Sequence, residues 1–249
     1  MLTIEKLSFV RDGRPILKEI SVAYEEGRLH GLIGPNGSGK TTLLKNICRV
    51  YQPTSGRVMI RGRDCRDIPR RRLSAMVALV PQNPKVGFPI RVCDLVLMGR
   101  YPHLKRFQPV GDNDRRIVDE ALRATNTFSL RERSVTELSG GEVQLVMIAR
   151  ALATEAELIL LDEPTASLDI GNSLAVMELL LKLKNEGKTI LTALHDLNQA
   201  RRFCDTITIL KDGRLYFHGP AAQAFNPETM REVFEVGCTM QGRTLEFNL

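Results

Sequence analysis

Leu29-His30-Gly31-Leu32-Ile33-Gly34-Pro35-Asn36-Gly37-Ser38-Gly39-Lys40-Thr41-Thr42 passes from an apolar run through a glycine-rich turn to a Lys-Thr pair. Residues 29–33 read as a short buried strand, and a helical pattern opens at Lys40. The segment Gly34 to Thr41 fits G-x-x-x-x-G-K-[ST]. Glycines let the backbone curl until successive N–H groups face one anion, and the helix N-terminus adds its partial positive charge. Lys40 is then placed to reach the outer phosphates of a nucleoside triphosphate, and the Thr41 hydroxyl to ligate Mg2+. A glycine-rich turn without a ligand would not need strand, Lys-Thr pair and helix together; here all three agree.

Downstream, Leu158-Ile159-Leu160-Leu161-Asp162-Glu163 is an apolar strand that ends in two acids. Charge at the end of a buried strand is costly unless it is used. Asp162 suits the Mg2+ shell, directly or through water. Glu163 projects one residue further, where it can polarise an attacking water as general base. A strand that merely exits to solvent would also end in charge; the phosphate loop upstream favours the chemical reading.

Between and beyond these segments the pattern is mixed. Leu2, Ile4, Leu7 and Phe9 stand among polar residues, and a second strand runs near Ile20 to Tyr24, which predicts antiparallel β structure before the glycine-rich turn. Further buried strands are expected at Val77 to Val80, Thr189 to Leu194 and Thr206 to Leu210, alternating with helical stretches as in a parallel α/β core. Ile90 to Arg133 is polar, helical in pattern and without strand signals. It reads as a helical subdomain inserted in the core, extending to about residue 150 with the helix that follows. The tail from Gly213 reads as a hairpin, two short helices and a final strand.

Composition sets limits on function. The 249 residues can bury a full core, and 43% of them are apolar. No apolar run approaches the roughly 18 residues of a membrane span, and the N-terminal pattern, with Glu5 and Lys6, does not read as a signal peptide. Cys48, Cys65, Cys93, Cys204 and Cys238 are scattered, without zinc or redox spacing, and are read as reduced thiols. The formal charge is +6. Its densest run, Arg70-Arg71-Arg72, has no interleaved aromatics and reads as a solvated helix face, so no nucleic-acid platform is expected.

The order of motifs is more specific than any one of them. Leu138-Ser139-Gly140-Gly141-Glu142 opens a helix with Ser139 and Glu142 at capping-box spacing. The phosphate loop, Gln82, this segment, Asp162-Glu163, Ser167-Leu168-Asp169 and His195 follow one another. In this order they resemble the ABC ATPase family over nearly the whole chain. The resemblance implies one α/β domain over residues 1–249: a P-loop NTPase core with an antiparallel β subdomain and an inserted helical subdomain. It implies ATP and Mg2+ as cofactors, and a homodimer that closes head to tail around ATP. By resemblance, Gly34 through Thr42 cradle the phosphates, Ser139 and Gly141 meet the γ-phosphate across the interface, and Gly140 and Glu142 belong to the same nucleotide-binding segment. Gln82 joins Thr41 and Asp162 at the metal. Asp169 reaches toward the partner's site, and His195 holds the water and Glu163 in place.

Three departures stand out. Val143 and Leu145 occupy positions that are usually basic, and Ser173 stands where relatives often carry Gln. In Leu7-Ser8-Phe9-Val10-Arg11-Asp12, Arg11 holds the usual adenine-stacking aromatic position; a planar guanidinium can also stack on a base. Met98-Gly99-Arg100-Tyr101-Pro102-His103 and His195-Asp196-Leu197-Asn198-Gln199-Ala200 resemble subunits of importers for iron–siderophore complexes, haem and cobalamin. That group works on the cytoplasmic side of the inner membrane, with a polytopic transmembrane permease and an extracytoplasmic substrate-binding protein. The competing expectation is a non-transport ABC ATPase of DNA repair or translation, which usually carries coiled-coil, zinc or tandem modules not seen here. A GTPase switch would need N-K-x-D, which does not occur.

Overall fold

The computed structural model describes residues 1–82, 84, 86–241 and 244–248. In chain order the elements are β1 (Leu2–Arg11), β2 (Arg14–Tyr24), β3 (Leu29–Ile33), α1 (Lys40–Ile47), β4 (Ser55–Ile60), β5 (Arg63–Asp64), α2 (Arg70–Met76) and β6 (Val77–Val80). There follow α3 (Val92–Leu97), α4 (Asp112–Ala124), α5 (Gly140–Ala153), β7 (Leu158–Asp162), α6 (Ile170–Asn185), β8 (Thr189–Ala193), α7 (Leu197–Phe203), β9 (Thr206–Lys211) and β10 (Arg214–Pro220). The chain closes with α8 (Ala221–Ala224), α9 (Pro227–Phe234), β11 (Gly237–Gln241) and β12 (Thr244–Asn248).

The central sheet has the order β10-β9-β3-β8-β7-β6, all parallel except the antiparallel edge strand β10. Strands β3, β7 and β8 are buried along their full length, as expected of a sheet covered on both faces. Side-chain alternation divides the core accordingly. Leu32, Leu158, Leu160 and Leu191 face a cluster built from β1, β2, β4, α1 and α2. Leu29, Ile33, Ile159, Leu161 and Ile190 face the helices that follow β6.

A second sheet, β2-β1-β4-β5, is antiparallel. The alternation Leu2, Ile4, then Leu7 skips one position because a bulge falls between Ile4 and Leu7, with Lys6 at φ +43°. Strand β2 begins at Arg14, earlier than its apolar residues indicate, because pairing with β1 carries the ladder through the polar start.

Helices α3, α4 and α5 pack on one another. On α4, Ile117, Val118, Ala121 and Leu122 form the single buried apolar stripe. The Met98–His103 stretch binds this group together. A side chain at Gly99 would stand 2.4 Å from the Arg150 carbonyl oxygen, so only glycine allows the approach. The buried Arg100 bonds the Asp114 carboxylate at 3.0 Å, the Ala153 carbonyl at 2.8 Å and Glu155 at 2.7 Å. His103 Nε2 lies 2.8 Å from the Thr154 carbonyl. Arg70, Arg71 and Arg72 are exposed on α2. The tail differs from expectation in ending on two antiparallel strands, β11 and β12, instead of one. Each is five residues long, too short for an alternation to separate them. Among the described residues no helix is long and apolar enough to cross a membrane.

Candidate active site

Strands β3, β8, β7 and β6 are adjacent and parallel, so the residues after their carboxyl ends meet on one edge of the sheet. Residues 34–41 follow β3, His195 follows β8, Asp162 and Glu163 lie at the end of β7, and Gln82 follows β6. Segments far apart in sequence are thereby gathered by strand order alone.

The phosphate loop has the backbone its glycines allow. Gly34, Gly37 and Gly39 have φ of +148°, +79° and +103°. A side chain at Gly34 would come within 2.1 Å of the Leu210 carbonyl oxygen, and one at Gly39 within 2.7 Å of Leu17. Lys40 Nζ donates to the carbonyls of Gly34 at 2.8 Å and Pro35 at 3.2 Å, which curls its side chain back under the loop. Burial lowers the Lys40 pKa, and the charges of Glu163 and Asp162 oppose that shift. The Ser38 hydroxyl is buried and has no hydrogen-bond partner among the described residues. An orphan hydroxyl, a buried ammonium and the start of α1 converge on one loop, a donor set that fits a polyphosphate.

Thr41 Oγ1 donates to Asp162 Oδ1 at 3.0 Å. Burial pushes the Asp162 carboxyl up, opposed by the Thr41 bond. Hydroxyl and carboxylate oxygens side by side are the donors a hard divalent cation takes. Glu163 is held in the left-handed region at φ +51°, an uncommon conformation for a residue other than glycine. Its N–H donates to the Ala193 carbonyl at 3.1 Å, tying it to β8. One carboxylate oxygen lies 2.5 Å from His195 Nε2, and the other accepts from Gln82 Nε2. The carboxylate is thus gripped from β8 on one side and β6 on the other, with 8% of the residue exposed. Beside it a cleft of about 1020 Å3 runs past Thr165, Leu168, His195, Asn198 and Gln199.

The other sequence-named residues bond groups outside this cluster. Ser139 Oγ accepts from the Glu142 N–H at 3.3 Å, and the Glu142 carboxylate accepts from the Ser139 N–H at 2.8 Å, a complete capping box at the start of α5. Gly140 faces open space, and Gly141 packs toward Leu168. The hydrogen bonds of Ser139 and Glu142 among the described residues stay within the cap. Asp169 caps α6 through the Asn172 N–H at 2.7 Å. Thr42 lies on α1, where its carbonyl accepts from the Asn46 side chain. Arg11, at the end of β1, donates to the Tyr51 hydroxyl at 3.1 Å, and its guanidinium lies 5.7 Å from the ring centre. The Tyr51 ring stacks on Phe9, with centroids 5.1 Å apart.

Tyr51 is a residue that sequence reasoning missed, because its partners lie 40 positions away and no local pattern marks it. Ser173 also gains a reason: its hydroxyl accepts from Gln199 Nε2 at 3.0 Å.

A phosphate loop between β3 and α1, facing two acids at the end of β7, defines a P-loop nucleotide-binding protein. The family model described as ABC transporter matches residues 17–166, and the chain belongs to that family. Over 224 residues it is 39% identical to the cobalamin import ATP-binding protein of Halobacterium salinarum; the match covers 90% of this chain but 56% of that longer protein. It is 37% identical over 236 residues to the iron(3+)-hydroxamate import ATP-binding protein of Bacillus subtilis, covering 94% of this chain and 88% of the relative. Among solved structures, a dimeric ATP-binding cassette in a post-hydrolysis state with ADP and phosphate superposes with a TM-score of 0.79 at 29% identity, covering 89% of this chain and 99% of that one.

Proposed function

We propose that this chain is the ATP-hydrolysing subunit of an importer and that its cargo is an iron–siderophore complex, haem or cobalamin. The observation that carries the ATPase reading is the grip on Glu163 by His195 and Gln82, next to the Thr41–Asp162 pair and the phosphate loop. The cargo class rests on the names of the cobalamin and iron-hydroxamate relatives.

In this reading residues 34–42 cradle the triphosphate, and Lys40 moves from the loop carbonyls to the β- and γ-phosphates. Thr41, Asp162 and Gln82 hold Mg2+, which when bound neutralises charge on those phosphates. Glu163 accepts the proton of the attacking water, with His195 keeping the carboxylate aimed. Arg11 stacks on the base. The open start of α5, Ser139 to Glu142, and Asp169 serve the site of a second copy, so two chains close head to tail; the dimeric cassette among the structural matches supports this arrangement. We read residues 1–249 as one ATP-binding domain with a helical subdomain over about 90–150. A polytopic permease docks near that subdomain on the cytoplasmic side of the membrane and receives cargo from an extracytoplasmic binding protein.

Labelled uptake in a deletion strain tests the cargo. We expect loss of uptake of one of the three nutrients. Normal uptake of all three, with a defect for a sugar, amino acid or peptide, overturns the cargo class. The ATPase reading falls instead if the purified chain shows no Mg2+-dependent ATP hydrolysis.

A further inference from the structure

Four side chains of residues 195–199 reach four different parts of the molecule. His195 Nε2 is 2.5 Å from Glu163. Asp196 turns back on its own helix, its Oδ1 accepting the N–H groups of Asn198 at 2.9 Å and Gln199 at 3.1 Å. Gln199 accepts from Thr165 Oγ1 at 3.4 Å and donates to Ser173 on α6 at 3.0 Å. Asn198 reaches the C-terminal hairpin: its Oδ1 accepts the Leu245 N–H at 2.8 Å, and its Nδ2 donates to the Leu245 carbonyl at 3.3 Å.

The last contact is unusual in form. A carboxamide carries one acceptor and one donor side by side, as a peptide group does. Asn198 therefore pairs with both backbone groups of Leu245 as a neighbouring strand would, and covers that position of a hairpin edge. The hairpin is itself seated in the molecule, since Leu245 and Cys238 are buried in the main core cluster with Met230 and Val233 of α9. Helix α7 has only seven residues, too few to hold its own orientation in water. Its entry is aimed by these side-chain bonds, and His195 lies directly before that entry.

We infer that the β11–β12 hairpin is a latch on the hydrolytic site, and that Asn198 is the positioning residue through which it sets His195 against Glu163. The inference rests on the proposed role of His195. With the latch closed, the entry of α7 is fixed between the hairpin and α6, and the 2.5 Å contact to Glu163 is maintained. With it open, the phosphate loop is untouched while His195 loses its aim. Misplacement by about 1 Å is enough to slow a positioned reaction. A partner or condition that lifts the hairpin therefore lowers turnover without lowering nucleotide affinity.

The test is steady-state ATP hydrolysis by the full-length chain, with Asn198→Ala beside a His195→Ala control. Asn198→Ala is expected to lower kcat by about two- to thirtyfold, the range of coupling through one intermediate residue, with KM for ATP unchanged. A second measurement leaves Asn198 in place. By reciprocity of linkage, a hairpin that maintains the His195–Glu163 contact is itself held by that contact, so hydrogen exchange at the Leu245 amide should be faster in His195→Ala than in the wild-type chain. If His195→Ala keeps wild-type turnover, the reading of the site fails and the latch fails with it. If His195→Ala loses turnover while Asn198→Ala keeps wild-type kcat, the latch alone is overturned. Should Asn198→Ala not fold, the exchange experiment decides: faster exchange at Leu245 in His195→Ala supports the latch, and unchanged exchange overturns it.

Discussion

At the scale of single residues, Glu163 is the side chain on which most depends. It is nearly buried, backbone-strained and held at both oxygens. Replacing it by Gln leaves the Thr41–Asp162 pair and the phosphate loop in place but removes the proton acceptor. Glu163→Gln should bind MgATP normally, hydrolyse it about 100-fold more slowly or worse, and elute as a dimer with ATP. Wild-type turnover in that variant would remove Glu163 from the role of base. Arg11 offers a milder test. Its guanidinium is tethered to the Tyr51 hydroxyl, and Tyr51 is braced by Phe9. If the pair forms the base platform, Arg11→Ala should weaken ATP binding about three- to tenfold, an ordinary value for stacking of this kind. Tyr51→Leu should weaken it as well, because the tether is lost. Equal dissociation constants in titrations of all three proteins would make Arg11 a surface residue.

Among the elements, α3, α4 and α5 depend on one buried cation. Arg100 is 4% exposed and satisfies acceptors from the start of α4, from the last residue of α5 and from just beyond it. Its bond to Asp114 holds that carboxyl below the usual carboxylate range. Arg100→Met removes the cation and leaves Asp114 and the Ala153 carbonyl without their partner. The expected loss is about 3 kcal/mol, the scale for breaking a buried pair from one side, read from urea unfolding. The double variant Arg100→Met with Asp114→Leu should recover a large part of that loss; no recovery would mean that the pair is not the cause. The same contacts explain why Gly99, Arg100 and His103 occur together: Gly99 and Arg100 are buried against the end of α5, and the exposed His103 is tied to the Thr154 carbonyl, while Tyr101 is exposed as well.

For the whole molecule, the junction of the two sheets carries two histidines. His30 is buried, with Nδ1 at 2.6 Å from Thr206 and Nε2 at 2.9 Å from the Glu25 carbonyl. His218 lies 2.9 Å from Thr208, and the buried Tyr24 ring meets both imidazoles edge-on. Burial lowers the pKa of each histidine below its ordinary value of 6.5. In the unfolded chain both protonate first as the pH falls, so the unfolded state binds more protons and stability drops. Stability from this source is complete above about 6.5, the unfolded value, and is lost as the pH falls toward the folded values. The melting temperature should therefore decline from pH 7.5 to pH 5.5, and the decline should be smaller in His218→Gln. An equal decline in both proteins would place the acid sensitivity elsewhere. The carboxyls held low by hydrogen bonds, Asp64, Asp114 and Glu142, act only further down, near and below their ordinary values.

Local physics made much of the core legible in advance. The buried strands at 29–33, 77–80 and 158–162 and the helix from Lys40 follow from apolar runs and glycine placement, because a fully covered strand must be apolar and a phosphate loop must be glycine-rich. The capping box at Ser139 is likewise a matter of residues three apart. What no local pattern could specify is which carboxyl ends become neighbours. The order β3-β8-β7-β6 is a long-range result, and it alone brings Gln82 and His195 to the two oxygens of Glu163. The contacts made by Tyr51, Ser173 and Asn198 belong to the same class. A lone ring, hydroxyl or carboxamide can bond many groups, and its partner is selected only when tertiary packing closes a loop of tens of residues around it.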